Sequence, residues 1–230
     1  VIAHSIVRPI AIIMSTSRVS YYQNFYNQVT LTLPLGMICS IIILLMWSRT
    51  HRELNSPGRL LHRALNKRQL CVHYQPIIDI KNNQCVGAEA LLRWPGFNGQ
   101  VMSPAEFIPL AEKEGMIERI TDYVVEEVFN DLGHFLATSP HLYISINLSA
   151  SDFHSSRLIA LISDKARHYA VRAQQIKIEV TERGFIDVPK TTPVIQAFRQ
   201  AGYEVAIDDF GTGYSNLHNL YSLNVDILKI

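Results

Sequence analysis

Apolar and polar positions follow three successive patterns along the 230 residues of the chain. Residues 29–47 form one apolar run of nineteen residues, which as a helix is about 28 Å long. In residues 58–70 the apolar residues Leu60, Leu61, Ala64 and Leu65 recur at helical spacing with basic residues between them. From residue 71 onward, strand-like and helix-like segments alternate. The order predicts one transmembrane helix, a short linker helix and an α/β domain.

The apolar run has the flanks of a membrane span. Aromatic residues stand at both ends, with Tyr22 and Phe25 on one side and Trp47 on the other, as in interfacial belts, which disfavours a buried core helix. Residues 48–68 hold six Lys and Arg, whereas Arg18 alone stands close before the run. By the positive-inside rule we expect the protein in the inner (cytoplasmic) membrane, with its C-terminal domain cytoplasmic.

The run is too long for a signal peptide, and its basic cluster lies on the wrong side. We therefore interpret residues 1–28 as the tail of an exported (periplasmic) sensor region, 29–47 as the transmembrane helix and 48–70 as a basic cytoplasmic linker helix. The basic residues of the linker fit a plain positive-inside collar and contact with anionic lipid headgroups equally well.

Charge is distributed unevenly, and this excludes some functions. Residues 1–47 carry +2, residues 48–68 carry +5 and residues 69–230 carry −6, which sum to the +1 of the chain. A DNA-binding protein would keep positive charge on its folded domain, so no DNA partner is expected. The three cysteines, Cys39, Cys71 and Cys85, lack C-x-x-C spacing, which argues against a zinc site or a disulfide framework.

The C-terminal region reads as strands and helices in alternation. This order calls for a parallel sheet covered by helices, either an open doubly wound sheet or a (β/α) barrel. Ser103 and Glu106 form a capping box with Pro104 at the first helical position. The predicted strands are 72–79, 85–94, 142–149, 176–182, 203–210 and 225–230, and the predicted helices are 104–115, 118–137, 151–169 and 191–201.

Polar side chains that could do chemistry stand toward the carboxyl ends of these strands, where barrel enzymes place their reactive groups. Crowded carboxylates need a cation among them, and a set of hard oxygen ligands favours magnesium, manganese or calcium over zinc. Two ions would suit phosphodiester hydrolysis. Lys229 could orient a water or a phosphate oxygen, and Arg93 could grip a phosphate or form a surface salt bridge. The candidate ligands are Glu89, Asn147, Glu179, Asp208 and Asp209.

Seven segments resemble the motifs of one family, in order and spacing. Residues 89–94 (EALLRW) resemble the signature of the EAL domain, the family of cyclic di-GMP phosphodiesterases. The resemblance covers residues 71–230, about 160 residues. The other segments are YQPI (74–77), SPAEFIPLAE (103–112), INLS (146–149), EVTE (179–182), DDFGTGYSNL (208–217) and VDILKI (225–230).

The resemblance implies a modified (β/α) TIM-type barrel that hydrolyses cyclic di-GMP to linear pGpG with two Mg²⁺ or Mn²⁺ ions. It assigns the metals to the five candidate ligands above, with Glu89 and Lys229 as catalytic residues. Gln75 and Arg93 match family positions that contact the ligand. Glu182 is similar to the residue that anchors the loop after the paired aspartates, and that loop implies a homodimer through the barrel.

The family pattern continues past Lys229-Ile230 with strands that supply a proposed general base. We therefore expect a partial EAL domain, with a barrel incomplete at its C-terminus, in a fragment that is inactive by itself. The predicted hydrolase activity belongs to a longer protein. The alternative is a catalytically inactive receptor that binds cyclic di-GMP or a partner protein through the same edge of the barrel, although such a binder would not need the full ligand set. An unrelated metal-dependent barrel enzyme would require all seven motifs to be coincidental.

Overall fold

The computed structural model describes residues 18–54, 56–96, 101–181, 188–208 and 225–229. The chain divides into two compact units, residues 1–55 and residues 56–230. In its described part the first unit is one helix, α1 (Arg18–Leu54).

Helix α1 has 37 residues and extends beyond the predicted span of 29–47 at both ends. Its segment Phe25–Arg49 has a mean hydropathy of 2.4 and is not buried by the rest of the protein. The hydroxyls of Thr30 and Thr32 donate to carbonyls one turn earlier, at 2.8 and 2.7 Å, so these polar groups are satisfied within the helix. By length and composition alone, the segment is long and apolar enough to cross a membrane.

The second unit alternates strands and helices. The predicted capping box is confirmed, since Ser103 Oγ accepts from the Ala105 N–H and the Glu106 carboxylate accepts from the Ser103 N–H. The elements are α2 (Pro57–Asn66), β1 (Cys71–Asp79), β2 (Gln84–Pro95), β3 (Val101–Met102), α3 (Pro104–Lys113), α4 (Ile117–Thr138), β4 (Tyr143–Leu148), α5 (Arg157–Tyr169), β5 (Ile176–Thr181), α6 (Val188–Gln200), β6 (Glu204–Asp208) and β7 (Ile227–Leu228).

The described strands form one mixed sheet in the order β1-β2-β4-β5-β6-β7, with β3 paired to β2. Strands β2, β4, β5, β6 and β7 run parallel, as the alternation of strands and helices predicts. Strand β1 is antiparallel to β2, which the sequence interpretation did not specify. Residues 80–83 alone connect the two strands, and a connection this short can close a hairpin but cannot make a parallel crossover.

The predicted helix 151–169 is divided. A 3₁₀ turn, Ala150–His154, comes first, and α5 begins at Arg157. Ser155 between them has an extended backbone (φ −149°, ψ 156°), which stops the first turn from continuing as α-helix. The Asp152 carboxylate holds that turn by accepting hydrogen bonds from the N–H and the hydroxyl of Ser149, at 2.9 and 2.7 Å.

Alternation along the parallel strands separates the core from the polar face. On β5, Ile176, Ile178 and Val180 are fully buried, and on β4 Ile144 and Ile146 are at most 4% exposed. These aliphatic side chains belong to the same core as Phe129 of α4. Burying each of them contributes about 1.5–3 kcal/mol to folding. The intervening residues of each strand therefore point to the opposite face of the sheet.

The packing of α4 against α5 depends on a glycine. A Cβ built on Gly133 would lie 2.5 Å from ring atoms of Tyr169. That ring stacks on Phe129, and its edge contacts involve His134 and His168, so it cannot move aside without disturbing these neighbours.

We expect Gly133→Ala to lower the free energy of unfolding by about 1–3 kcal/mol, because overpacking outweighs the gain of about 1 kcal/mol that alanine brings to a helix interior. Thermal unfolding of the chain in detergent measures this loss. In a Tyr169→Ala background the same substitution should be neutral or stabilising. An equal loss in both backgrounds would contradict a clash with the Tyr169 ring.

Candidate active site

Four parallel strands and the residue after a fifth bring polar side chains to one edge of the sheet. Glu89 lies in β2, Asn147 near the end of β4, Glu179 in β5 and Asp208 at the end of β6, while Lys229 follows β7. Asn147 and Glu179 are register partners, so their side chains stand beside each other on the same face. The predicted meeting of strand-end side chains is therefore seen for five of the six residues.

The ammonium of Lys229 lies among three carboxylates. Its Nζ is 2.6 Å from Glu179 Oε2, 3.3 Å from Glu89 Oε2 and 3.3 Å from Asp208 Oδ1. Lys229 and Glu89 are 140 residues apart in sequence, so these contacts connect the start of the sheet to its last described strand. One positive charge is thus shared by three negative ones.

Asn147 completes the cluster. Its Nδ2 donates to Glu89 Oε1 at 2.7 Å, which leaves its carbonyl oxygen as a further oxygen donor. Oxygen atoms of Glu89, Glu179 and Asp208 all lie within 4.8 Å of one another. The arrangement gives three carboxylates and one amide converging on a common point.

Burial shifts the titration of two of these groups. Burial raises the pKa of the Glu179 carboxyl, and the charge of Glu89 adds to the rise, although hydrogen bonds from Lys229 and Ser145 offset part of it. Burial lowers the pKa of Lys229, but its hydrogen bond to Glu179 and the charges of the three carboxylates raise that pKa by more, above its ordinary value. The ammonium therefore stays protonated while Glu179 holds a proton more readily than an exposed glutamate.

Ser145 belongs to the site although the sequence interpretation assigned it no role. It is 1% exposed, it is the register partner of Glu89, and its hydroxyl hydrogen-bonds the Glu179 carboxylate. The signal was available, because Ser145 stands two positions before Asn147 and so faces the same side of β4. A buried serine in this place lowers the pKa of the Glu179 carboxyl and so favours its charged form.

The two residues matched to ligand-contacting positions differ in placement. Gln75 is exposed and lies opposite Glu89 in the β1–β2 pair, so it borders the cluster. Arg93 lies four residues beyond Glu89 on the same face of β2, and its guanidinium donates to the carbonyl of Leu92 at 2.9 Å. In the described contacts Arg93 does not touch the acidic cluster. Asp209 and Glu182, a proposed ligand and a proposed loop anchor, lie outside the described residues, as does the loop of the predicted homodimer.

The cluster has the chemistry of a divalent cation site. Its three carboxylates and one ammonium carry a formal charge of −2, and all its donors are hard oxygens. Such donors suit magnesium, manganese or calcium, as predicted from the sequence. Glu89, Glu179 and Asp208 could hold a metal ion.

Residues 59–230 match the sequence profile of the EAL domain. The chain belongs to the EAL domain family. The family predicted from the seven motifs is therefore confirmed.

Two curated relatives show what this EAL chain is similar to. It is 42% identical over 221 residues to a protein of Escherichia coli K12 named probable cyclic di-GMP phosphodiesterase PdeB, across 96% of this chain and 43% of PdeB. It is 34% identical over 172 residues to cyclic di-GMP phosphodiesterase NbdA of Pseudomonas aeruginosa, across 74% of this chain and 22% of NbdA. The chain thus spans less than half the length of these relatives.

Solved EAL structures have the same fold. The PaMucR phosphodiesterase in complex with c-di-GMP is 34% identical, with a TM-score of 0.68 across 74% of this chain and 70% of PaMucR. The EAL enzyme Bd1971 in its cGMP-bound form is 27% identical, with a TM-score of 0.70 across 84% of this chain and 56% of Bd1971. These similarities confirm the predicted TIM-type α/β fold.

We expect Lys229→Met to destabilise the chain when no divalent cation is present, because three carboxylates would then face one another without a counter-charge. The loss should be about 1–3 kcal/mol, below the 3–5 kcal/mol typical of a fully buried pair, because the Lys229 side chain is 30% exposed. Added Mn²⁺ should raise the melting temperature of the variant more than that of the unmodified chain.

Thermal unfolding with EDTA and with Mn²⁺ measures both effects. Lys177→Met is the matched control, since Lys177 pairs with Glu204 at 2.9 Å and lies 3.7 Å from the Tyr143 ring centroid, and it forms no ion pair with Glu89, Glu179 or Asp208. The control should lose stability while its response to Mn²⁺ stays unchanged. The same Mn²⁺ response in Lys229→Met and the unmodified chain would contradict the idea that the ammonium stands where a cation could bind.

Proposed function

We propose that the protein containing this chain is a membrane-anchored cyclic di-GMP phosphodiesterase that hydrolyses its substrate to linear pGpG. The observation that carries the proposal is the convergence of Glu89, Asn147, Glu179, Asp208 and Lys229 at one edge of the sheet. Support comes from family membership and from relatives named as phosphodiesterases of this dinucleotide. As proposed domains, residues 1–28 belong to the exported region, 29–47 to the membrane, 48–70 to the linker and 71–230 to the EAL domain. The EAL profile begins at residue 59, so α2 in the second half of the linker is part of that domain.

The acidic cluster would hold two divalent ions, Mg²⁺ or Mn²⁺, with Asp209 joining the four residues of the described cluster as a ligand. When bound, such ions act as Lewis acids on water and on the leaving oxygen. The carboxylates contribute the negative charge that retains the ions, and Asn147 contributes a neutral oxygen. Ser145 would favour the charged form of Glu179, since its hydroxyl lowers the pKa of that carboxyl.

Lys229 would orient the attacking water or a phosphate oxygen. Lys229 contacts all three carboxylates of the cluster, so its ammonium can donate a hydrogen bond to a water or a phosphate oxygen bound beside them. Gln75 and Arg93 would position the dinucleotide. Both lie on the same face of the hairpin as Glu89, and Gln75 is exposed and open to a ligand.

The decisive assay compares this chain with the reading frame continued beyond Ile230, measuring Mg²⁺-dependent conversion of cyclic di-GMP to pGpG by chromatography. We expect turnover by the longer protein. In that protein Glu89→Ala should lower the rate about 10²–10³-fold, because it removes a metal ligand and a partner of Lys229 and Asn147. Glu112→Ala, an exposed glutamate on α3, is the control and should retain full activity.

Turnover retained in Glu89→Ala would refute the assignment of this site. Binding of cyclic di-GMP by the longer protein without any conversion would instead support the receptor function, since the ligand would then be held without reaction.

We further propose that α1 crosses the inner membrane and leaves the EAL domain in the cytoplasm. The length and hydropathy of Phe25–Arg49 support a span, and the basic residues that follow support the orientation. Fused after Lys67, alkaline phosphatase should be inactive and green fluorescent protein should fluoresce. The opposite result with both reporters would overturn the orientation.

A further inference from the structure

The solvent face of α2 is a row of exposed polar side chains. On this helix Arg59, His62, Arg63 and Asn66 recur at helical spacing, and Lys67 continues the row at the C-cap. Helix α2 contains no acidic residue. We call this row, extended by one residue of α4, the basic face: Arg59, His62, Arg63, Asn66, Lys67 and Arg119.

The opposite side of α2 fixes the basic face outward. Leu61, Ala64 and Leu65 are 0, 1 and 6% exposed and belong to the core of the second unit. The helix cannot rotate without exposing these side chains, so its cations point to solvent as part of a folded domain. A flexible basic collar would not hold its charges in this way.

Arg119 joins the basic face from a distant part of the sequence. Its Nη2 donates to Asn66 Oδ1 at 2.8 Å, and its Nη1 lies 3.3 Å from His62 Nε2. The guanidinium is thus held by Asn66 and His62, while the neighbouring Glu118 faces Arg157 at 3.8 Å. Packing of α4 beside α2 therefore adds a positive charge to the face, while the carboxylate of Glu114 lies against Gly58 in the first turn of α2.

Arg68, which lies next to the basic face in sequence, is neutralised by ion pairs, unlike the arginines of that face. It pairs with Glu126 at 2.8 Å and with Glu127 at 2.6 Å. Among the described residues, no carboxylate lies within ion-pair distance of Arg59, Arg63, Lys67 or Arg119. Because residues 69–230 carry a net charge of −6, these unpaired cations are a local exception on an acidic domain.

The position of α2 in the chain indicates what the basic face binds. Helix α1 ends at Leu54 and α2 begins at Pro57, so the basic face follows directly in sequence after the proposed membrane-spanning helix. Anionic headgroups attract juxtamembrane Lys and Arg, whereas the acidic remainder of the domain would repel a nucleic acid. We propose that the basic face binds the anionic headgroups of the membrane that α1 enters. This inference rests on the proposed membrane anchoring.

Amine footprinting tests the proposal on the full chain. The chain is placed in nanodiscs of phosphatidylcholine alone or with about 30% phosphatidylglycerol, and labelling of individual lysines by an amine-reactive ester is followed by mass spectrometry. We expect the labelling rate of Lys67 to fall at least about 3-fold in the anionic discs and to recover in 0.5 M salt. Lys81, exposed in the turn between β1 and β2, is the internal control and should label equally in both.

Charge variants distinguish headgroup binding from mere closeness to the bilayer. Arg59→Gln with Arg63→Gln should abolish the slowing at Lys67, because it removes two positive charges of the basic face. Both side chains are exposed, so their loss should leave the fold intact. Arg167→Gln, whose side chain is 77% exposed on α5, should preserve it.

Equal labelling of Lys67 in neutral and anionic discs, or slowing that persists in the double variant, would overturn the inference. A chain that does not enter nanodiscs of either composition would contradict the anchoring itself, so the two failures are distinguishable.

Discussion

Three carboxylates and one ammonium meet at the carboxyl edge of the sheet, and their balance of charge constrains the second unit. Repulsion between Glu89, Glu179 and Asp208, whose oxygens lie within 4.8 Å of one another, is offset by the positive charge of Lys229. The ion pairs connect β2, β5 and β6 to the residue after β7. A cation bound at this edge would reduce the same repulsion, so a metal ion and Lys229 would both neutralise the same three carboxylates.

Much of this site could be predicted from the sequence, because side chains alternate along a strand and parallel strands end at a common edge. That rule places Glu89, Asn147 and Glu179 together without any knowledge of distance. It could not show that Lys229 contacts three carboxylates, since that depends on sheet curvature and on strands 140 residues apart. The same rule places Ser145 on the face of β4 that carries Asn147. A serine does not by itself indicate a metal or catalytic site, so it was assigned no role.

The fold, like the site, was predictable from the sequence only in part. Strand and helix positions were predictable from periodicity and caps, as the Ser103 capping box illustrates. The antiparallel direction of β1 could have been predicted from the short connection of residues 80–83. It was not, because a repeat of strands and helices favours a parallel sheet. The contact of Arg119 with His62 and Asn66 lay beyond sequence reasoning, because it depends on how α4 packs beside α2.

Core and site cannot be varied independently, because they are opposite faces of the same strands. Glu179 lies between Ile178 and Val180, which are fully buried, and is itself 1% exposed. A shift of β5 by one residue would exchange these faces and place the carboxylate in the aliphatic core, where burying an unpaired charge costs several kcal/mol. The hydrophobic pattern that folds the sheet therefore also sets the register in which Asn147 stands beside Glu179, and this register brings the acidic side chains within reach of one cation.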